Sequence, residues 1–192
     1  MRIVGGQWRG RRIHFPSIDG LRPTPDRVRE TLFNWLQGRT ADARCLDLYA
    51  GSGALGLEAL SRGAREVVFV ERDRSAAAAL RAALVAFSST CGRVVERDAL
   101  AYLAGTAEPF DLVFLDPPFS QGALGELCTL LETHGWLARD ALIYLELAAR
   151  NERPALPVGW SLRRDTRAGE VQGLLAQRRA PSAGGEQAAD AT

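Results

Sequence analysis

A glycine-rich turn separates a short apolar segment from a helical region in the stretch from Cys45 to Leu57. Gly51, Gly53 and Gly56 allow the backbone to approach a ligand closely and to adopt positive φ angles where needed. The free N–H groups at the start of the following helix favour an anionic or nucleotide-like ligand. Glu71 follows Gly51 by twenty positions at the end of the next apolar run, as in dinucleotide-binding sites. This spacing alone is compatible with either NAD(P) or S-adenosylmethionine.

Carboxylates follow the next strands in positions that suit S-adenosylmethionine. We predict that Asp47 holds the methionine ammonium directly or through water, and that Glu71 accepts hydrogen bonds from both ribose hydroxyls. Asp98 would accept from the adenine amino group while the Ala99 N–H donates to a ring nitrogen. Asp47 could instead bind loop backbone, and Asp98 could be only a helix N-cap. The predicted cofactor-binding residues are Asp47, Tyr49, Ala50, Gly51, Ser52, Gly53, Gly56, Glu71, Arg72, Asp98 and Ala99.

The most specific stretch has the sequence Asp-Pro-Pro-Phe, from Asp116 to Phe119. Two consecutive prolines cannot continue a central strand, so the Pro117 carbonyl is left without a ladder donor. This carbonyl and the Asp116 carboxylate can accept the two N–H groups of a nucleobase amine and direct its lone pair at a sulfonium methyl group. Phe119 can stack on the base. A simple strand-terminating turn needs neither the aspartate nor the aromatic. The predicted catalytic residues are Asp116, Pro117, Pro118 and Phe119.

Alternating strand and helix patterns position these residues. Apolar runs at 67–70 and 112–115 lack alternation, which is typical of parallel strands buried on both faces. We predict a Rossmann-like, doubly wound α/β sheet of seven strands with ligands at the carboxyl ends. Residues 160–166 and 170–176 predict an antiparallel C-terminal hairpin, which favours the methyltransferase variant of the fold. Other strands are expected at 44–49, 66–71, 92–96, 110–116 and 141–147, and helices at 54–62, 74–87, after Asp98 and at 123–133.

The N-terminal end is the basic end of the chain. Residues 1–30 contain seven arginines and three acidic residues, with Trp8 and Phe15 interleaved. Arginines can contact phosphates and an aromatic ring can stack on an unpaired base, although a mobile solvated arm is the other interpretation. Thr24 predicts the N-cap of an amphipathic helix that ends near Gly38. The predicted RNA-contacting residues are Arg2, Trp8, Arg9, Arg11, Arg12, Arg22, Thr24, Arg27 and Arg29.

Composition limits the organisation to one globular domain. The chain has 192 residues, of which 46% are hydrophobic, and a formal net charge of +1. We expect a basic arm or small hairpin at 1–21, the methyltransferase domain at 22–179 and a disordered tail at 180–192. The three cysteines are far apart and form no Cys-x-x-Cys pair, which argues against a disulfide framework or structural zinc. No apolar run reaches membrane length, so we expect a cytoplasmic monomer without metal.

Four stretches together resemble the ribosomal RNA small-subunit methyltransferase D family. They are residues 2–11, 21–36, 47–60 and 116–119, and the resemblance extends over 2–179. It implies S-adenosylmethionine-dependent methylation of the guanine 2-amino group at position 966 of bacterial 16S rRNA, with S-adenosylhomocysteine as product. It also implies that 116–119 hold the target guanine and that the assembled small subunit is the substrate. Tyr49, where such proteins often carry phenylalanine, is the one departure in the loop.

Three other functions are compatible with part of the sequence. An amino-methyltransferase acting on adenine or a protein glutamine would use the same two acceptors, and the basic arm joined to the Thr24 helix argues against it. An NAD(P)-dependent oxidoreductase would explain the glycine loop and Glu71 but not the Asp116 motif. A non-enzymatic RNA-binding protein would leave the cofactor residues without purpose. Methyl transfer requires positioning and polarisation of the amine rather than a strong base, so we expect Asp116 to orient the amine first and to accept a proton second.

Overall fold

The computed structural model describes residues 1–13, 15, 26–118 and 124–179, and these ranges contain five helices and seven strands. The helices are α1 (Asp26–Trp35), α2 (Ala54–Ser61), α3 (Arg74–Ala86), α4 (Ala99–Leu103) and α5 (Leu124–Thr133). The strands are β1 (Arg44–Asp47), β2 (Glu66–Glu71), β3 (Gly92–Glu96), β4 (Phe110–Leu115), β5 (Leu137–Ala148), β6 (Trp160–Ala168) and β7 (Val171–Arg178). All elements expected from residue 44 onward are therefore present.

The seven strands form one sheet in the order β3-β2-β1-β4-β5-β7-β6. Strands β1 to β5 are parallel to one another, whereas β7 is antiparallel to both β5 and β6. The predicted Rossmann-like sheet with an antiparallel C-terminal hairpin is confirmed. The strand order reverses at β1, which pairs with β2 on one side and β4 on the other. A ligand crevice is expected outside the carboxyl ends of the strands at such a point.

The ends of several strands differ from the predicted ones. β5 begins at Leu137 rather than at residue 141, and a register shift between β4 and β5 accommodates its first residues. The exposed Arg139 and Asp140 in this part of β5 carry no strand signal in the sequence. β6 continues to Ala168, whereas β1 ends at Asp47, two residues earlier than expected. None of these shifts changes which strand ends lie at the ligand edge.

Two apolar cores cover the two faces of the sheet. The core on one face includes side chains of α1, α2 and α3, and the core on the other includes those of α4 and α5. The run at 67–70 shows why its sequence lacks alternation. Val67 and Phe69 belong to the first core, while Val68 and Val70 belong to the second, so both faces of β2 are buried.

Residues 1–13 pack against the first core. They fold back on themselves through one antiparallel bridge between Arg2 and Arg12, and they bury Ile3, Trp8 and Ile13. The Trp8 side chain is 7% exposed, and its ring centroid is 4.7 Å from that of a phenylalanine at the end of α3. A base-stacking role would require this ring to leave the core, at a cost of about 2–3 kcal/mol in apolar burial. The structure therefore contradicts the expectation that Trp8 stacks on RNA.

Arg29 is also structural. Its side chain is fully buried, and the guanidinium donates to the Arg2 carbonyl at 2.8 Å and to the Asp26 carboxylate at 2.5 Å. The buried carboxylate of Glu58 lies 3.9 Å away and accepts from the Val4 N–H at 2.9 Å. These contacts tie α1 and α2 to the N-terminal residues. The predicted phosphate contact of Arg29 is therefore wrong, because a fully buried guanidinium cannot reach RNA.

Several predicted features lie outside the described residues. These are Phe119, Arg22, Thr24 and the tail at 180–192. The division of the chain at residues 21 and 179 stays a prediction. Over the ranges that the structure describes, no helix is long and apolar enough to cross a membrane.

Candidate functional site

The glycine loop between β1 and α2 uses the conformations that only glycine adopts readily. Gly51 has a φ of 49°, and Gly53 has a φ of 75° at the N-cap of α2. Gly56 has a different role, since a Cβ atom there would lie 2.3 Å from the Phe69 ring. Gly51 and Gly53 therefore shape the turn, while Gly56 lets α2 pack closely on the sheet.

Asp47 ends β1 beneath this loop. Its side chain is 2% exposed, and Oδ2 accepts from the Gly56 N–H at 2.9 Å. Burial raises the pKa of Asp47 to about 7; the Gly56 hydrogen bond opposes the rise, and the negative charges of Asp116 and Glu71 add to it. The backbone contact is the alternative that the sequence leaves open for Asp47. A contact with a cofactor ammonium stays a prediction.

Glu71 connects β2 to the glycine loop. One carboxylate oxygen accepts from the Gly51 N–H at 2.8 Å, and the other accepts from the Asp73 N–H at 2.7 Å. Each carboxylate oxygen has a second acceptor position, so these contacts leave capacity for ribose hydroxyls. In the structure Glu71 braces the turn that would hold the cofactor, and the predicted ribose contact is compatible with this position.

Asp98 is the N-cap of α4. Its carboxylate accepts from the Leu100 N–H at 2.9 Å and from the Ala101 N–H at 3.2 Å, in agreement with the second interpretation of this residue. Tyr49 is partly buried, and burial raises its pKa; the charge of Asp98 adds to the rise, while that of Arg72 opposes it. The predicted cofactor contacts of Tyr49, Arg72 and Asp98 stay predictions.

The chain leaves the sheet at the Asp-Pro-Pro sequence, as predicted. β4 ends one residue before Asp116, which is partly buried; Pro117 is buried and Pro118 is exposed. The charge of Asp116 contributes to raising the pKa of Asp47 on β1 and of Tyr144 on β5. Asp116 therefore lies at the carboxyl edge of the sheet, within electrostatic range of both neighbouring strands.

Four carboxylates follow this edge on one face of the sheet. Successive strand residues alternate between faces, and each carboxylate comes two positions after a residue of the first core: Cys45, Phe69, Phe114 and Tyr144. Within the described part of the chain, no three potential ligands come close enough to hold a metal ion. In spatial order across β2, β1, β4 and β5, the four are Glu71, Asp47, Asp116 and Glu146.

Glu146 is a residue that the sequence analysis missed. It is 3% exposed and accepts a hydrogen bond of 2.9 Å from the hydroxyl of Tyr144, which is 1% exposed. Burial raises the pKa of Tyr144 well above its ordinary value, and the charges of Glu146 and Asp116 add to the effect. The available signal is a pair of polar residues two positions apart in the otherwise apolar run at 141–147. The apolar pattern of that run predicts only a strand.

The N-terminal residues run along α2 from the glycine loop to the far end of the helix. At the loop end, the Ser52 hydroxyl lies 3.6 Å from the sulfur of Met1. At the far end, the Trp8 N–H donates to the Ser61 hydroxyl at 2.9 Å. Because α2 has eight residues, these two ends are about 12 Å apart.

This path separates the predicted RNA-contacting arginines. Arg2 and Arg12 are exposed and bridged to each other near the glycine loop. Arg9 and Arg11 are also exposed. The Arg11 guanidinium donates to the Ala86 carbonyl at 2.7 Å, at the C-terminus of α3, and so has a structural role there. The bridge between Arg2 and Arg12 lies one residue from Met1, which contacts Ser52 of the glycine loop.

The chain is similar to known proteins over almost its whole length. The family model "Conserved hypothetical protein 95" matches residues 1–177. Ribosomal RNA small subunit methyltransferase D of Escherichia coli strain K12 is 51% identical over 94% of this chain and 91% of its own, and that of Haemophilus influenzae is 41% identical over 92% and 93%. A solved structure described as putative methyltransferase yhhF from Escherichia coli has a TM-score of 0.88 and 49% identity, covering 94% of this chain and 99% of that one.

Proposed function

The chain belongs to the ribosomal RNA small subunit methyltransferase D family, and from this premise we propose that it methylates the exocyclic 2-amino group of a guanine in bacterial 16S rRNA. The methyl donor is S-adenosylmethionine, and S-adenosylhomocysteine is the product. The resemblance stated above gives the position of the guanine as 966 and the assembled small subunit as the substrate. The names of the relatives support rRNA as the class of substrate.

One observation supports methylation of an amine over hydride transfer. The Asp116 carboxylate and the Pro117 carbonyl lie together where β4 ends, next to a glycine loop that is braced by Glu71. Two acceptors side by side suit a planar amine with two N–H groups, and a hydride-transferring enzyme would have no use for them. An oxidoreductase function is therefore not favoured, although it shares the glycine loop.

S-adenosylmethionine, when bound, supplies a methyl group on a positively charged sulfur. Asp116 and the Pro117 carbonyl accept the two N–H groups of the guanine amine and turn its lone pair toward that methyl carbon. The cofactor would supply the methyl group to the amine nitrogen, and its sulfur would retain the electron pair of the carbon–sulfur bond. The nitrogen then carries an extra proton, which Asp116 or water accepts. The enzyme contributes position and polarisation, and no covalent intermediate is required.

The residues near the glycine loop fit the cofactor. Gly51 and Gly53 expose backbone in the turn, and Glu71 retains acceptor capacity for the ribose hydroxyls. Asp47, at the end of β1, would hold the methionine ammonium. Tyr49, Arg72 and Asp98 would surround the adenine. The remaining predicted contacts are Ala50, Ser52 and Ala99.

Exposed arginines at the loop end would hold the RNA. Arg2 and Arg12 lie beside the glycine loop, and Arg27 is exposed near the start of α1. Phosphate contacts from such residues orient a nucleic acid without reading its sequence. The choice of base must then be made at the carboxyl edge of the sheet.

Two measurements test the proposed function. Modified bases in 16S rRNA are mapped in cells with and without the gene, and the expected result is loss of one N2-methylguanine only. Calorimetry with S-adenosylhomocysteine and with NAD tests the cofactor, and only the first should bind. An unchanged rRNA map, or binding of NAD alone, would contradict the proposal.

A further inference from the structure

β5 carries a buried carboxylate beside the proposed catalytic aspartate. Leu115 of β4 pairs with Leu145 of β5, so the next residues along the two parallel strands are Asp116 and Glu146. Neighbouring strands lie about 4.8 Å apart, and both side chains belong to the face covered by α1 to α3. Glu146 is therefore placed next to Asp116, on the side away from the glycine loop.

Two other residues hold this carboxylate in position, one by a hydrogen bond and one by leaving space for the donor. The Tyr144 hydroxyl donates to it at 2.9 Å, and the raised pKa of Tyr144 keeps that hydroxyl protonated at neutral pH. Gly173 of β7 is paired with Glu146, and a Cβ atom at Gly173 would lie 2.7 Å from the Tyr144 hydroxyl oxygen. The glycine thus leaves the space that the hydroxyl occupies. A buried carboxylate is costly, and an apolar side chain would serve packing better.

The order of residues along the edge shows which part of a ligand would face Glu146. Glu71 and Asp47 lie on the cofactor side of Asp116, and Glu146 lies on the opposite side. With the cofactor on the β1 and β2 side, we place the ring of a base whose amine is held by Asp116 on the β5 side. In guanine, the carbon that bears the reacting amine lies between N1, which carries a hydrogen, and N3, which carries a lone pair. In adenine, the one ring nitrogen bonded to the amine-bearing carbon, N1, carries only a lone pair.

We infer that Glu146 accepts the N1–H of the target guanine while Asp116 holds the 2-amino group, so that Glu146 selects guanine over adenine. This inference rests on the proposed function and adds the residue that decides the base. Adenine would present a ring lone pair to the carboxylate and leave it facing another acceptor. Sites that hydrogen-bond one substrate group reject analogues lacking that group by large factors.

The decisive substrate is a small subunit reconstituted with 2-aminopurine at the target position. This base keeps the 2-amino group but has a lone pair at N1 and no oxygen at position 6. For the unaltered enzyme we expect kcat/KM to fall by on the order of 100-fold or more relative to guanine. If the kcat/KM values for guanine and 2-aminopurine differ by less than about 3-fold, the N1–H is unimportant. That result with the unaltered enzyme alone would overturn the inference.

The Glu146→Gln variant completes a double-mutant cycle, in which the unaltered enzyme and the variant are each measured with guanine and with 2-aminopurine. It retains size and an acceptor for Tyr144, and its amide can donate to a ring lone pair. Methylation of guanine should fall about 10- to 100-fold, as expected for removal of a charged hydrogen bond. The penalty for 2-aminopurine should shrink to below about 10-fold, and the effect of the missing oxygen cancels in the cycle. An unchanged penalty would overturn the inference.

Two further variants separate contact from structure. Tyr144→Phe removes the donor but keeps the carboxylate, so its guanine preference should stay near that of the unaltered enzyme. Glu66→Gln changes a carboxylate at the opposite end of the sheet and should alter neither the rate nor the preference. If the unaltered enzyme methylates no guanine at all, the proposed function fails together with this inference. If guanine is methylated but the cycle shows no coupling, only the role of Glu146 fails.

Discussion

The cofactor half and the substrate half of the carboxyl edge are built differently. On the cofactor half, Glu71 accepts from the Gly51 N–H, Asp47 accepts from the Gly56 N–H, and Asp98 caps α4. On the substrate half, Glu146 is held by a tyrosine side chain, and Asp116 is placed by the register of β4 and β5. The first group is held by backbone in or beside its own motifs, and the second by the pairing of distant strands.

This difference indicates two roles for the acidic residues, one that includes shaping the local backbone and one that acts on the bound base. Each cofactor-side carboxylate shapes a loop or a helix start in addition to any ligand contact, so its loss would disturb local structure as well as binding. Asp116 comes after the end of β4 and Glu146 lies near the end of β5, where they can act on the bound base. Changes on the cofactor half should therefore affect affinity, and changes on the substrate half should affect turnover.

The largest effect is expected for Asp116→Ala. In the proposed function its carboxylate orients the amine during transfer rather than the cofactor, so turnover should fall by on the order of 1,000-fold while cofactor binding stays within about 3-fold. Single-turnover methylation and calorimetry with S-adenosylhomocysteine measure the two quantities. An equal loss of affinity and turnover would place Asp116 in the cofactor half and remove the distinction between the halves.

Glu71→Ala should have a smaller effect of the opposite kind. Loss of the proposed ribose contacts and of the hydrogen bond to the Gly51 N–H should weaken cofactor binding by about 1–3 kcal/mol. Glu71→Gln is the matched control, since an amide oxygen retains one acceptor but not the charge, and it should bind with intermediate affinity. Unchanged affinity in a folded Glu71→Ala variant would show that Glu71 only braces the loop.

The same contrast explains what could be predicted from the sequence. The glycine loop, Glu71 and the Asp116 motif are short patterns whose chemistry depends on neighbours within the motif. The doubly wound sheet follows from apolar runs that need burial on both faces. Glu146 could not be assigned, because its meaning depends on the pairing of β5 with β4 and on the space left by Gly173 of β7.

The predictions for Trp8 and Arg29 failed for a related reason. Composition indicates an RNA-binding arm that contains Trp8, and periodicity places Arg29 on a polar helix face close to that arm, but neither shows which side chains a neighbouring element will bury. Trp8 packs on the first core, and Arg29 pairs with backbone and carboxylates. Alternation could not reveal this, because the segment forms a single bridge instead of a regular strand.

The raised pKa of Asp47 predicts a pH dependence within the cofactor half. Asp47 ionises at about pH 7 rather than near 3.8, so cofactor affinity should rise about tenfold from pH 6 to pH 8 as the carboxylate gains the charge that attracts an ammonium. Between pH 3.8 and about 7, Asp47 is protonated in the folded state and ionised in the unfolded state. The free energy of unfolding should therefore fall as the pH rises through this window.

Asp47→Asn is the control for this prediction. The amide oxygen can still accept from the Gly56 N–H, but the group no longer titrates. The affinity should lose its step near pH 7, and the free energy of unfolding should lose its decline between pH 3.8 and about 7. A wild-type step that persists in the variant would belong to another group, such as the cofactor amine or the RNA.

The smallest effect is expected from the arginines of the N-terminal segment, where the two ends should differ. Replacing Arg2 and Arg12 with alanine should reduce affinity for the small subunit, and the slope of log affinity against log salt should become shallower by roughly 0.7 to 0.9 for each phosphate that an arginine no longer neutralises. Replacing Arg9 and Arg11 should leave that slope unchanged. It should instead lower stability by about 0.5–1 kcal/mol, because Arg11 caps α3 and lies over the Phe87 ring. Equal changes in slope for both pairs would mean that RNA contacts the whole N-terminal segment. No change for either pair would mean that the RNA contacts lie only at the strand ends and on α1.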